Sequence, residues 1–221
     1  MDRPPTLLAF DTSAAHCAAA LLRGGAIVAD RFVEMGRGQA EELMPLLEEM
    51  LAREGLGWRD LDALGVGTGP GNFTGIRIAV AAARGLALGL GVPAIGVSNF
   101  EVMAWGETGA RLVSLPGPRD TAYLQAMQDG TPLGPPRQVA PDAPPADLDL
   151  PAGICVLGHA AEGLGAALGL PARPRALDQV GPRIARIAAA RLGRPLPRPA
   201  PVYVRPADAA PPADPAPVIL P

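Results

Sequence analysis

The sequence contains no lysine; all its basic side chains are arginines. That bias reflects coding composition and carries no functional content. Aromatic residues make up only 4% of the 221 residues, so a core must come from alanine, leucine, valine and isoleucine. There are two cysteines, Cys17 and Cys155, far apart in the chain. They fit neither a disulfide framework nor zinc-ligand spacing and read as small buried hydrophobes. No uninterrupted apolar run reaches the ~18 residues of a membrane span, and the opening Met1-Asp2-Arg3-Pro4-Pro5 lacks a signal-peptide layout. The expectation is a cytoplasmic protein without a membrane partner. The net charge is −3, and a direct nucleic-acid binder usually carries a basic excess. What is present is globular: 48% hydrophobic and 19% charged, at a length that buries a core without staples.

Residues 6–10 (TLLAF), 15–22 and 26–33 read as three strands joined by the turns Asp11-Thr12-Ser13 and Arg23-Gly24-Gly25. Residues 39–53 carry apolar side chains at helical spacing: Ala40, Leu43, Met44, Leu47, Met50 and Leu51. Pro45 removes one donor there, so the helix either starts near Leu43 or kinks. Residues 63–67 and 94–97 are further strands, with a helix over 75–90 between them. Ser98 and Glu101 have capping-box spacing for another helix. The order β-β-β-α-β-α-β predicts a mixed sheet covered by helices, as in a ribonuclease-H-like lobe. Beyond Trp105 the pattern thins. Strands are expected over 111–115, 121–127 and 154–157, and helices over 160–168 and 180–192. Residues 132–151 read as a Pro-rich loop and those after Gly193 as a Pro-rich tail. The chain divides into a first lobe over 1–104, a reduced second lobe over 105–200 and the tail 201–221.

Two segments carry candidate chemistry. Gly67-Thr68-Gly69-Pro70-Gly71-Asn72-Phe73-Thr74-Gly75 joins a strand to a helix. Gly69, Gly71 and Thr74 could cradle an anion at the helix start, or the segment is a tight turn that seats the helix. It matches neither a P-loop nor a Rossmann loop. In the first turn, Asp11, Thr12 and Ser13 are candidates for a nucleotide's phosphates or metal, and equally for ordinary loop chemistry. The helix over 75–90 is apolar nearly all round, with Arg77 and Arg84 its only charges. Such a helix is either fully buried or covered by a partner, and a partner is the expected answer.

GTGPGNFTGIRIAVAAARGLALGLGVPAIGVSNFE, the opening LLAFDTS and the late Pro201-Val202-Tyr203-Val204-Arg205 resemble the TsaB (YeaZ) family. The likeness is dense over 6–104, thin over 105–200 and returns at 201–205. It implies an α/β protein of the actin-like ATPase (ribonuclease-H-like, ASKHA) fold, with two lobes and a reduced second one. It implies a non-catalytic scaffold that pairs with the catalytic paralogue TsaD and the ATPase TsaE. That machinery moves threonylcarbamoyl onto adenosine 37 of tRNAs reading ANN codons. tRNA would be met through the complex, ATP or ADP would bind only there, and a homodimer would compete. The partner surface implied comprises Leu43, Leu47, Met50, Ile76, Arg77, Val80, Ala83, Arg84 and Ala87, with Ala83→Asp expected to break association and spare the fold. The paralogue's metal-binding His-x-x-x-His falls on Asn99 and Met103, which are poor ligands for iron or zinc. His16 and His159 match no metal spacing, so neither a catalytic nor a metal residue is expected. The family's second-lobe pattern Asp-Ala-Arg followed by Glu-x-Tyr is reduced to Pro116-Gly117-Pro118 and Thr121-Ala122-Tyr123. The alternative is a nucleotide-binding enzyme of the same fold, either an ATP-dependent transferase or an M22-type glycopeptidase-like protein. A direct tRNA-binding module is a third reading, but arginines between Arg183 and Arg198 fall largely in the Pro-rich stretch.

Overall fold

In the computed structural model, residues 4–145 and 147–204 are described; the tail from Arg205 onward lies outside them. Strand β1 (Thr6–Asp11) is central because both of its faces are buried. Leu8 and Phe10 point into one core, Leu7 and Ala9 into the other. A strand covered on both sides reads as an unbroken apolar run. β2 (His16–Arg23) alternates the same way, Cys17, Ala19 and Leu21 against Ala18, Ala20 and Leu22. β3 (Ala26–Glu34) is the exposed edge. β4 (Ala63–Gly67) and β5 (Ala94–Val97) lie parallel to β1, giving the order β3-β2-β1-β4-β5. This meander followed by parallel crossovers is the expected ribonuclease-H-like lobe.

Helix α1 (Gln39–Arg53) and helix α2 (Phe73–Leu90) cover one face of that sheet. α1 forms through Pro45, which stands inside the helix. Burial of Leu43, Leu46, Leu47, Met50 and Leu51 offsets the lost hydrogen bond. Leu46 replaces the exposed Ala40 in the predicted stripe. Helix α3 (Asn99–Ala104) starts at the capping box: Glu101 N donates to Ser98 Oγ, and Ser98 N to Glu101 Oε2 at 2.7 Å.

The second sheet begins with the antiparallel pair β6 (Ala110–Pro116) and β7 (Ala122–Gln128). The short β8 (Thr131–Pro132) and β9 (Arg137–Val139) pair with β7, so the Pro-rich loop 132–151 contains a strand that sequence reading missed. β10 (Cys155–Gly158) lies parallel to β6, and β11 (Ala172–Pro174) extends the sheet beyond it. Helix α4 (Ala161–Leu168) packs on one face of this sheet and α3 on the other.

The assignment of everything from 105 to 200 to the second lobe needs correction. Helix α5 (Val180–Arg191) lies on the first sheet, on the side opposite α1 and α2. Its Val180, Ile184, Ala185 and Ala188 join Leu7, Ala9, Ala18 and Ala20 in one core. Gly181 allows this approach, since a Cβ there would stand 2.8 Å from the Ala19 carbonyl carbon. The chain leaves α5 and crosses the first lobe once more, with Val202 N donating to Thr68 O at 2.8 Å.

Candidate functional site

The ends of β1 and β4, the start of α2 and the start of α3 meet at one point. Asp11 Oδ1 accepts from Ser13 N at 3.0 Å and Ser13 Oγ at 2.8 Å, and lies 2.8 Å from His16 Nε2. The His16 ring is tilted against Phe32. The Asn99 side-chain amide donates to Ser13 Oγ and to Pro70 O, both at 2.9 Å, while its backbone N donates to Gly69 O at 2.7 Å. Asn72 N donates to Ser13 O, and Thr12 Oγ1 to Gly75 O, each at 2.6 Å. Asp11, Thr12 and Ser13 are fully buried, and Asn99 is 3% exposed.

The structure therefore corrects the anion-cradle reading of this loop. Thr12 spends its hydroxyl on Gly75, and Asp11 spends one carboxylate oxygen on Ser13 and His16. The other oxygen, Oδ2, is buried against Gly67 without a hydrogen-bond partner. The glycines face the chain's own backbone. A Cβ at Gly75 would collide with the Thr12 carbonyl, and one at Gly71 with the Ser13 carbonyl. Gly69 adopts φ 82° before the cis bond to Pro70, and a Cβ there would run into Ile76. The start of α2 is capped from within, as Gly75 N donates to Asn72 Oδ1 at 2.8 Å. Thr74 is exposed beside this cap. The close backbone approach anticipated for a ligand is thus made by residues 12 and 13. Asn99 ties the loop to the first turn, and Met103 fills the core between α3 and the second sheet. Among the described residues, no three His, Cys, Asp or Glu side chains gather as a metal-ligand group.

A cleft of about 920 Å³ opens between this junction and the second lobe. Ser13, Asn72, Arg77, Arg119, Tyr123 and Tyr203 are among its lining residues. Arg77 lies 3.6 Å over the Phe73 ring and donates from Nε to the Tyr203 hydroxyl at 2.8 Å. That bond fastens the last described segment to the first turn of α2. Sequence reasoning singled out Tyr203 and Arg77 separately, and nothing in their spacing joined them.

The nine residues assigned to a partner surface separate into two groups. Leu43, Leu47, Met50, Ile76, Val80 and Ala83 are at most 3% exposed and pack together in the chain's own core. They are corrected from surface to core: the apolar stripe of α1 faces the sheet and the inner face of α2. Arg77 and Arg84 are exposed, and Ala87 is half-buried. With them, α2 presents Ala81, Gly85, Leu88 and Gly89 outward, at helical spacings of three and four. Leu88 is 87% exposed, and a Cβ at Gly85 or Gly89 would meet nothing within 4 Å. α2 is long and apolar enough to cross a membrane by length and composition, yet its inner face is part of the first lobe's core.

Elsewhere, burial, with Glu42 and Asp11 nearby, pushes the Cys17 thiol up to about 11. Glu107 receives Arg111 and Arg175, each at 3.1 Å, and also Arg173. Burial raises its carboxyl, but the hydrogen bonds from Arg111 and Arg173 and their charges leave it below the usual glutamate value.

Residues 34–117, from the end of β3 through β6, match the family model "TsaD: tRNA N6-adenosine threonylcarbamoyltransferase". The chain is 43% identical over 100 residues to the tRNA threonylcarbamoyladenosine biosynthesis protein TsaB of Haemophilus influenzae, covering 45% of this chain and 42% of that protein. With the protein of the same name from Escherichia coli it is 39% identical over 110 residues, covering 48% and 47%. The chain thus spans just under half the length of these two relatives. An uncharacterized protein of Mycobacterium tuberculosis is 34% identical over 143 residues, covering 63% of this chain and 68% of that one. YeaZ from Pseudomonas aeruginosa superposes with a TM-score of 0.67 at 29% identity, over 90% of this chain and 99% of that structure. The sheet order, the block around the Gly-rich loop and a shared fold over nearly the whole length lead to one conclusion: the chain belongs to the TsaB (YeaZ) family.

Proposed function

We propose that the chain is a non-catalytic accessory subunit in tRNA threonylcarbamoyladenosine synthesis, pairing with the catalytic paralogue TsaD through the outward face of α2. The machinery transfers threonylcarbamoyl to adenosine 37 of tRNAs that read ANN codons. TsaE is the other protein partner, tRNA is engaged with the complex, and ATP or ADP belongs to the complex rather than to the chain alone. The setting is the cytoplasm. A second copy can occupy the same α2 face, so a homodimer competes with the heterodimer.

The observation that carries this reading is Leu88, 87% exposed on a helix face otherwise made of alanine, glycine and two arginines. Exposed apolar surface of this kind favours a protein partner. Small residues at positions 81, 85 and 89 let a second backbone come close. A co-purification with Gly85→Arg tests it, because a Cβ at this exposed position meets no atom within 4 Å in the folded chain. The reading expects TsaD to be lost and the fold kept; retention of TsaD would sink it.

The cleft of about 920 Å³ favours a second reading, a nucleotide enzyme, since Arg77 and Arg119 stand on its wall. Two features weigh against it. The fully buried Asp11 offers no carboxylate to the cleft, and Arg77 is engaged by Phe73 and Tyr203. A glycopeptidase-like mechanism would need metal ligands where Asn99 and Met103 stand. ATP turnover by the chain without partners would support the enzyme reading.

A further inference from the structure

Charge is distributed very unevenly along the chain. Residues 172–204 hold seven arginines and one aspartate, a local net charge of +6 in a chain whose total is −3. The fold turns this stretch into a band. Arg173 and Arg175 stand at or just after edge strand β11, Arg183, Arg186 and Arg191 on α5, and Arg194 and Arg198 on the segment that follows. On α5 the arginines run from Arg183 to Arg191, about 12 Å at ~1.5 Å per residue.

The acids within reach do not cancel it. Glu107 is shared by Arg111, Arg173 and Arg175. Asp178 pairs with Arg183 at 2.8 Å, and Glu101 with Arg191. Arg194 and Arg198 are exposed and have no acidic partner among the described residues. They line a groove of about 580 Å³ together with Arg84, Gly85 and Leu88 of the outward face of α2. Arg183 is 5% exposed and donates to Val102 O at 3.2 Å, so it lies beneath the exposed arginines, its guanidinium held below its usual value by burial first and then by Arg175.

We propose that this arginine belt, running from the edge of the second sheet along α5 to the groove beside α2, holds the phosphodiester backbone of tRNA. The proposal rests on the accessory-subunit reading for which RNA is bound; the belt itself does not depend on it. A line of guanidinium groups suits a line of phosphates, and each planar fork can grip one phosphate with two hydrogen bonds. No aromatic residue lies between 172 and 202, so there is no platform for stacking bases. The contact therefore positions the RNA without reading its sequence. A subunit docked on α2 would border one end of the belt, because Arg194 and Arg198 share their groove with Gly85 and Leu88.

The test is fluorescence polarisation with an unmodified tRNA whose anticodon reads ANN codons, across a salt series. The full chain is used alone and with its partner. Each phosphate contact contributes roughly 0.7 to 0.9 to the slope of log affinity against log salt. The variant Arg173→Ala, Arg194→Ala, Arg198→Ala is expected to lower that slope by about 2 and weaken binding at least about tenfold at moderate salt. Its melting should match wild type, and lysine at the same three positions should restore much of the slope. Arg23→Ala, Arg53→Ala, Arg59→Ala removes as much charge from the first lobe and should leave tRNA binding unchanged. Wild-type binding by the belt variant, equal loss by both variants, or displacement of tRNA by inorganic phosphate at constant ionic strength would each overturn the proposal. Failure of the wild-type chain to co-purify with TsaD, with tRNA binding by the belt intact, would count against the accessory reading alone.

Discussion

One substitution type at two places in the same helix should have opposite signs. Gly75 and Gly85 both lie in α2 with ordinary negative φ. A Cβ at Gly75 would stand 3.0 Å from the Thr12 carbonyl carbon and closer still to its oxygen. Gly75→Ala must therefore push the first turn of α2 away from residues 12 and 13. Overpacking of this kind costs about 1–3 kcal/mol. The displacement also strains the Thr12 Oγ1 to Gly75 O bond of 2.6 Å, a further ~1 kcal/mol. Against these stands a gain of about 1 kcal/mol from replacing glycine with alanine in a helix. The net expectation is a loss of roughly 1–3 kcal/mol, or about 2–12 °C in Tm at this chain length. Gly85→Ala meets no atom within 4 Å and keeps only the gain, raising Tm by about 2–4 °C. Urea unfolding of the two variants, with m-values compared, measures both. If Gly75→Ala were as stable as wild type, the packing account of the loop would fail, and a ligand would again be needed to explain its glycines.

Three further outcomes follow from burial and charge. Ala83→Asp should unfold the chain rather than merely detach a partner, because residue 83 is fully buried and an unpaired carboxylate there costs several kcal/mol; circular dichroism of the isolated variant decides. Glu107 has a depressed folded-state pKa, so its stabilising contribution is full above the ordinary value of 4.5 and is lost as pH falls through the lower folded value. Glu107→Gln should therefore flatten that part of the acid-unfolding curve, and an unchanged curve would count against the arginine cluster. Cys17, fully buried with its thiol pushed up to about 11, should resist iodoacetamide at pH 8 until the chain is unfolded, as peptide mass mapping can show.

Much of the first lobe was legible because its signals are local. The buried strands are continuous apolar runs, and the Ser98–Glu101 capping box can be read letter by letter. The strand 63–67 and the helix 39–53 fall where spacing put them. Orientation was not legible. The stripe Leu43, Leu47, Met50 marks a face of α1, and periodicity does not say whether that face meets its own sheet or another chain. The outward residues of α2 were hidden because alanine and glycine carry no strong preference. The position of α5 follows from long-range packing through Gly181, and β11 is an edge strand containing a proline, the kind sequence patterns demote. The Asn99 latch had one signal: a polar residue at the start of α3, in line with the first turn. Its meaning needs the distances to Ser13 and Pro70.

The central claim is that the outward face of α2 is a docking surface. Leu88→Asp changes that face and nothing beneath it. Isothermal titration of the variant against the purified catalytic paralogue is the direct measurement. A hot-spot residue contributes about 2 kcal/mol or more, so the account predicts affinity weakened at least about 30-fold with Tm unchanged. Wild-type affinity in the Leu88→Asp variant would contradict it.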